Sequence, residues 1–510
     1  MKIASVLLLL AGPALAATTI QQYHSHDFAF KAGAAGNPFD VEFSGDFTGP
    51  DGARLTIPGF YDGDGAWKIR FSPTRVGEWS FRTTSSLDAL RGKTETNIVC
   101  VSNTNPNIHG VLRVDAAHPY HFIYDDGTRY FLLGYEADWL WAPETKVMQR
   151  LIDSMATYGF NHVLVNVYSH DTRWAPDKSC DYDYGPPPMY AWEGTNEKPD
   201  HSRLNTKFFQ HYDAMMESLR EKGIVAHIML KVYNKKVKWP AKWSQDEERY
   251  FRYLVARYQG FGNVVWDFSK ESYNEKDDVL QARLIDLIRY TDAYKHLTTA
   301  HDDEAYEWDP VFSRNLDFRT DQQHSDYAGM IRFDRARRQY PIVNAEFGYE
   351  FGVDKLPTHT HSNQCDWKEF LRRAYLVYLA GGYGVYYYNN TAWDVIKPDP
   401  EPPGMKGWQI LKETLSALPY WKMEPNDQLA SGGPCLALPG EAYVFYVEGS
   451  NLTVNLSALD GAPVKAEWMN TWTGERQKAP VAKESFHKYK KPEAFGATPG
   501  LLIVQRQAGR

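Results

Sequence analysis

Residues 263–275 read NVVWDFSKESYNE and residues 340–352 read YPIVNAEFGYEFG. Each is a short apolar run that delivers a carboxylate: Val264 to Trp266 lead through Asp267 to Glu271, and Ile342 to Ala345 lead straight into Glu346. An apolar strand that ends on an acid is unfavourable unless that acid has a partner or a task. Working outward, six further apolar runs follow the same scheme, so strands are expected at 130–134, 162–168, 224–230, 264–268, 297–300, 316–319, 342–345 and 384–388. Between them lie stretches at helical spacing, such as Val147, Leu151 and Met155, then Phe208, Tyr212, Met215 and Leu219, then Leu280, Leu284, Leu287 and Ile288. Alternating strand and helix imply a parallel sheet, and eight repeats over about 300 residues imply its closure into a (β/α)8 TIM barrel. The open doubly wound alternative lacks its signature, because no GxGxxG or P-loop follows the first strand.

On both sides of this region the period changes to two. Val41 and Phe43, then Trp67, Ile69 and Phe71, then Trp79 and Phe81 alternate between turn signals such as Pro50-Asp51-Gly52. That pattern predicts an antiparallel β-sandwich. Alternation returns near the end in EAYVFYVEG, NLTVNLSAL, KAEWMNTWTGE and LLIVQR, which predicts a second, smaller sandwich. A chain of 510 residues exceeds what one core organises. The expected architecture is therefore multidomain, a central barrel at 109–420 flanked by sandwiches at 17–108 and 421–510.

The first 16 residues, MKIASVLLLLAGPALA, place one lysine before an apolar run that closes on Ala14-Leu15-Ala16. This reads as a secretory signal peptide, with a secreted or periplasmic mature chain from Ala17. No later stretch reaches about 18 apolar residues, so no membrane anchor is expected. The net charge of −8 without a long basic stripe argues against nucleic acid as a partner. Aromatic side chains make up 15% of the chain, with 16 Trp and 33 Tyr; flat rings with polar edges suit sugars, although all-β domains also use them for packing. Cys100, Cys180, Cys365 and Cys435 are far apart and fit no zinc spacing, and isolated buried thiols are the expected reading. No metal and no cofactor is predicted, and the oligomeric state is not readable from the chain.

In a barrel of this kind the loops at the C-terminal ends of the strands build the active site. Glu271 after strand four and Glu346 at the end of strand seven then stand on one rim. Paired carboxylates are the equipment for glycosidic bond cleavage, one protonating the leaving oxygen while the other attacks the anomeric carbon or activates water. Each alone reads as a member of a structural ion pair. Together, on strands four and seven, they point to catalysis.

Three sets of phrases carry a resemblance. GNPFDVEF and PGFYDGDGAWKIRFSPTRVGEWSF resemble the immunoglobulin-like domain ahead of several bacterial and fungal glycosidase barrels. YFLLGYEADWLW, GFNHVLVNVY, NVVWDFSKE and PIVNAEFGYE resemble the apiosidase-like family within the large clan of retaining barrel glycosidases. NLTVNLSALDG and TWTGE resemble the C-terminal β domain that closes such barrels. The resemblance implies Glu271 as acid/base and Glu346 as nucleophile. Two departures stand out: relatives often carry Asn before the acid/base, where this chain has Lys270, and a Gly-Asp-Thr-Ala-Trp phrase becomes Gly134-Tyr135-Glu136-Ala137-Asp138-Trp139.

Other rim positions are candidates for holding carbohydrate: Glu136, Asp138 and Trp139 after strand one, Asn166 and His170 after strand two, His301 after strand five, Gln323 and His324 after strand six, and Trp393 after strand eight as a stacking floor. For any one of them, a rim residue satisfied by its neighbours is an equal reading. Glu275 is the rival acid/base, one turn beyond Glu271, while Asp302, Asp303, Glu304 and Glu350 read as loop charges. His359, His361 and Cys365 in THTHSNQC lack a fourth zinc ligand and read as a flexible loop. Lys231, Lys235, Lys236, Lys238 and Lys242 form a local basic cluster that reads as a solvated charge run, with recognition of an anionic glycan as the alternative. The expected function is a secreted retaining glycoside hydrolase acting on a plant or microbial polysaccharide or oligosaccharide. A non-catalytic carbohydrate-binding protein on the same scaffold is the alternative, and the intact carboxylate pair counts against it. A different hydrolase chemistry would need a G-x-S-x-G elbow or a clustered His/Asp metal set, neither of which is present.

Overall fold

The computed structural model describes residues 17–167, 189–233, 237–302, 315–352, 363–391, 398, 401–459, 461–481 and 484–507. Among these, eight parallel strands form the central barrel: β1 Gly134–Glu136, β2 His162–Asn166, β3 Val225–Met229, β4 Val264–Asp267, β5 Thr298–Thr299 continuing as His301–Asp302, β6 Arg319–Asp321, β7 Ile342–Asn344 and β8 Tyr383–Tyr386. Pairing runs in sequence from β1 to β8, and β8 returns to β1 through Gly134 opposite Val385. Gly134 is required at this seam, because a Cβ there would meet Val385 Cγ2 at 2.6 Å. β5 bends at Ala300, its first half pairing with β4 and its second with β6.

The helical stripes read from the sequence are the buried faces. Leu151 and Met155 of Thr145–Thr157, Phe208, Tyr212, Met215 and Leu219 of Thr206–Glu221, and Leu280, Leu284 and Ile288 of Asp278–Thr291 all pack into the barrel core. Asn205, Ser244, Asp277 and Asp366 cap their helices by accepting first-turn amide hydrogens, which fixes where each strand-to-helix loop ends.

Strand boundaries differ from expectation, at several ends by a residue or two. The first barrel strand begins at Gly134; Arg129–Tyr130 instead pairs antiparallel with Phe122–Tyr124 in a small separate sheet. The apolar run Phe131-Leu132-Leu133 fits either placement by hydropathy, and the packing of Gly134 on β8 decides it. Strand six lies at Arg319–Asp321 rather than 316–319, where its buried side chains are charged and paired: Arg319 Nε donates to Asp321 Oδ1 at 2.5 Å and lies 3.4 Å from Asp334 of the following helix. Strand eight starts one residue early, at Tyr383.

Flanking the barrel, a five-stranded and a three-stranded sheet share one apolar cluster built from Phe43, Phe47, Trp67, Ile69, Trp79 and Phe81. A six-stranded and a three-stranded sheet share another, including Tyr443, Phe445, Val447, Trp468 and Val504. The alternate residues Ala442, Val444 and Tyr446 face the barrel core instead, and Tyr446 stacks on Tyr375 at 5.3 Å between ring centres. Period two thus gives one strand two buried faces, one per neighbour. The N-terminal unit docks by charge: Arg70 meets Asp213 at 3.0 Å, and Arg257 meets Asp62 at 2.8 Å.

Candidate active site

Glu346 follows β7 and is 3% exposed. Its Oε1 accepts a hydrogen bond from the Tyr349 hydroxyl. Its Oε2 has no hydrogen-bond donor among the described residues, but it lies 4.0 Å from Lys270 Nζ and 3.8 Å from His301 Nε2. Burial first, then Lys270 and His227, push His301 well below the usual histidine value, so it faces Glu346 as a neutral ring.

Glu271 reaches the same pocket from β4 by an unusual path. Beyond Asp267 the chain keeps strand-like register as far as Lys270, which bridges to Val232, and Glu271 then takes φ 55°, ψ 46°. A left-handed non-glycine residue costs about 1–2 kcal/mol, and such strain persists where surrounding contacts over-determine it. Here the Tyr273 hydroxyl donates to Glu271 Oε2 at 2.5 Å and Asn274 Nδ2 at 3.3 Å, while Gln322 donates to Tyr273 at 3.0 Å. The turn is anchored beneath by Asp267, whose Oδ1 accepts from Ser269 N at 2.9 Å and His301 N at 3.2 Å. Asp267 is held in turn by His227 at 2.8 Å, His227 by His162 at 3.0 Å, and His162 by Tyr130 at 3.1 Å. Burial, and then Glu346, Glu136 and Glu271 together, hold the Tyr349 phenol well above its usual value, so both candidate carboxylates act on one group.

The pocket floor is ionic. Lys270, 1% exposed, donates to Glu136, lies 3.4 Å from Asp138 Oδ2 and 3.3 Å from the Tyr387 hydroxyl. Burial works against its ammonium, but Asp138, Glu136 and Glu346 outweigh that and hold the Lys270 pKa well above the lysine value. One cation cannot serve three acids equally. Burial raises the Glu136 carboxyl, the Lys270 ammonium works against that, and Asp138 and Glu346 add to the rise.

The expected rim residues separate by what they touch. Glu136 and Asp138 meet Lys270; His301 meets Glu346; His324 lies 6.3 Å from Tyr349, ring to ring. Asn166 is fully buried at the end of β2 with neither amide atom hydrogen-bonded among the described residues, the state of a group that waits for a ligand or water. Trp139 is buried at 2% exposure, beside Trp141. His170 and Trp393 lie outside the described residues, as do Asp303, Glu304, His359, His361, Lys235, Lys236 and Cys180. Cys100, Cys365 and Cys435 are free, buried thiols, and no cluster of metal-ligating side chains occurs among the described residues.

One expectation is corrected. Glu350 is not a loop charge: it is buried, accepts from Tyr386 at 2.6 Å and from Gly404 N at 3.1 Å, and burial pushes its carboxyl up to about 7. Of the basic cluster, Lys231 is buried against Glu247 at 2.7 Å, Lys242 pairs with Glu275 at 2.7 Å, and Lys238 is exposed. The second pair also occupies the rival acid. Burial would raise the Glu275 carboxyl, but Lys242 and the Asp277 amide outweigh it and hold the pKa low. Tyr349, Tyr387 and the histidine chain were not singled out from the sequence; the position of Tyr349, three residues past Glu346, was the available signal.

The catalytic-domain family described as Apiosidase-like matches residues 117–431. The chain belongs to the apiosidase-like family. Its barrel is therefore the catalytic domain of a glycoside hydrolase. Residues 19–86 of this apiosidase-like chain match a domain of unknown function (DUF5060). A Bacteroides vulgatus protein described provisionally as a glycoside hydrolase superposes with a TM-score of 0.81 at 21% identity, over 96% of this chain and 100% of its own. A glycoside hydrolase family 5 protein from the same organism gives 0.61 at 18% identity, over 78% of this chain and 94% of its own. At these identities the likeness shows the fold, which in the first case extends through both flanking units. No curated protein matches the chain.

Proposed function

We propose that this apiosidase-like barrel hydrolyses a glycosidic bond of a plant or microbial polysaccharide or oligosaccharide with retention of anomeric configuration, Glu346 as nucleophile and Glu271 as acid/base. The observation that carries the reading is the asymmetry of Glu346. Its Oε1 is held by Tyr349 while Oε2 accepts no hydrogen bond among the described residues, so one oxygen is anchored and the other is available to attack. In the first step Oε2 bonds to the anomeric carbon as the bond to the leaving oxygen breaks, and that oxygen takes the proton of Glu271. In the second, water bonds to the anomeric carbon, gives its proton to Glu271, and Glu346 departs as carboxylate. Asn166, Asp138, His301 and His324 supply polar edges for sugar hydroxyls around this centre.

With Lys231 and Lys242 already paired, the substrate proposed is carbohydrate with no requirement for negative charge. The flanking units are read as an immunoglobulin-like sandwich at 17–108 and a smaller sandwich at 421–510, both supporting the 109–420 barrel. The leader at 1–16 assigns the chain to a secreted or periplasmic location. No helix among the described residues is long and apolar enough to cross a membrane.

The test is incubation of the full chain with a panel of aryl glycosides and cell-wall polysaccharides, with released sugars read by chromatography. Proton NMR of the first product then reports its anomer. Release of the same anomer as the substrate supports double displacement, and release of the opposite anomer overturns it.

A further inference from the structure

Lys270 performs no step in the cleavage proposed above, yet its ammonium is the hub of the pocket floor. Every element around it contributes a titratable or polar group: Glu136 and Asp138 from β1, His301 from β5, Glu346 and Tyr349 after β7, Tyr387 after β8, and the Lys231 carbonyl after β3, which accepts the Lys270 amide hydrogen at 2.9 Å. That last contact, with the Val232 bridge, fixes the backbone one residue before the left-handed turn at Glu271. The side chain and backbone of one residue therefore join both halves of the reaction centre.

We infer that Lys270 is a positioning residue that divides one positive charge between the nucleophile Glu346 and the strand-one carboxylates Glu136 and Asp138. The inference rests on the reading of Glu346 as nucleophile. A cation 4.0 Å from Oε2 favours the charged carboxylate. Because Glu136 and Asp138 compete for the same ammonium, they limit how strongly Lys270 holds Glu346 and so leave its electron pair free to attack. Glu136 is thereby the counterweight, and the two substitutions must act in opposite directions.

The experiment is a titration of the full chain labelled with 13Cδ-glutamate, the Glu346 signal being the one that disappears in Glu346→Gln. In Lys270→Met the midpoint of that signal is expected to rise by about one pH unit or more, and Lys270→Arg is expected to restore it in large part. In Glu136→Gln the midpoint is expected to fall, as the ammonium turns further toward Glu346. Unchanged midpoints in both variants, or shifts of the same sign, overturn the proposal. Should Lys270→Met fail to fold, Glu136→Gln decides alone: a fall supports the proposal and anything else sinks it. The titration needs no substrate, so a chain that cleaves nothing in the glycoside panel overturns the proposed function through a separate result. Where an aryl glycoside is cleaved, the acidic limb of kcat/KM should move with the titration, a response that a merely structural lysine does not produce.

Discussion

The strand-seven and strand-four sides of the pocket solve opposite problems. Glu346 sits two residues past a buried barrel strand, one oxygen tied to Tyr349, with a cation and a neutral imidazole nearby. Glu271 sits on a left-handed turn beyond its strand, with the Tyr273 hydroxyl and the Asn274 amide donating to one oxygen. An attacking carboxylate gains from a rigid, charge-favouring setting, because its geometry must match the anomeric carbon. A group that must both give and take a proton gains from neutral hydrogen-bond donors that tolerate either of its states. The difference teaches that the two roles are written in surroundings, since both residues are glutamates.

The largest expected effect breaks this comparison on the strand-seven side. Glu346→Ala should lower kcat on every substrate by on the order of 10^4-fold or more; a glycoside turned over at near wild-type rate would remove Glu346 from the reaction. Glu271→Ala should be selective. Substrates with poor leaving groups should lose most of their rate, whereas an activated aryl glycoside should still form the intermediate and then accumulate it, with azide speeding release. If Glu275→Ala showed that behaviour instead, the acid/base would be misassigned by one turn; the Lys242 pairing predicts near wild-type kinetics for it.

Tyr349→Phe sharpens the contrast at the nucleophile. Loss of one hydrogen bond to a charged acceptor is worth about 1.5–3 kcal/mol, so kcat/KM should fall by roughly 10- to 100-fold while the fold persists by circular dichroism. Glu350, on the same side of the barrel but engaged with Tyr386 and Gly404, tests stability rather than turnover. Its folded-state pKa, pushed up to about 7 from the ordinary 4.5, means the folded protein keeps a proton that the unfolded chain releases. Its contribution to stability is therefore complete below about 4.5 and lost as pH rises through about 7. The melting temperature of the wild type should decline across that window more steeply than that of Glu350→Gln. The smallest effect belongs to the strand-four turn: Glu271→Gly should exceed Glu271→Ala in unfolding free energy by about 1 kcal/mol, since only glycine adopts φ 55° without strain. Equal stability would mean that the turn relaxes once the side chain is gone.

Much of this arrangement was legible in the chain. Apolar runs at regular intervals, helical stripes between them and period-two alternation on either side reported which surfaces had to be buried, and burial dictates layers. Strand boundaries were less legible where hydropathy was degenerate, as across Phe131-Leu132-Leu133-Gly134, or where charged side chains were buried in pairs, as at Arg319 and Asp321. Two lysines of the basic cluster, Lys231 and Lys242, meet Glu247 and Glu275, partners 16 and 33 residues away, whose proximity no local pattern announces.

By itself, the sequence determined the barrel between two alternating regions and the pair Glu271 and Glu346, because periodicity and a carboxylate at a strand end are local properties of the chain. Only the tertiary structure decided that Lys270 joins Glu136, Asp138 and Glu346, that Tyr349 anchors one oxygen of Glu346, and that Glu350 and Glu275 are committed elsewhere. Each of these depends on which side chains share a buried, weakly screening space, and barrel closure brings together residues as distant as 136 and 346. A charge's effect is set by its distance and its burial, and neither quantity exists until the chain has folded.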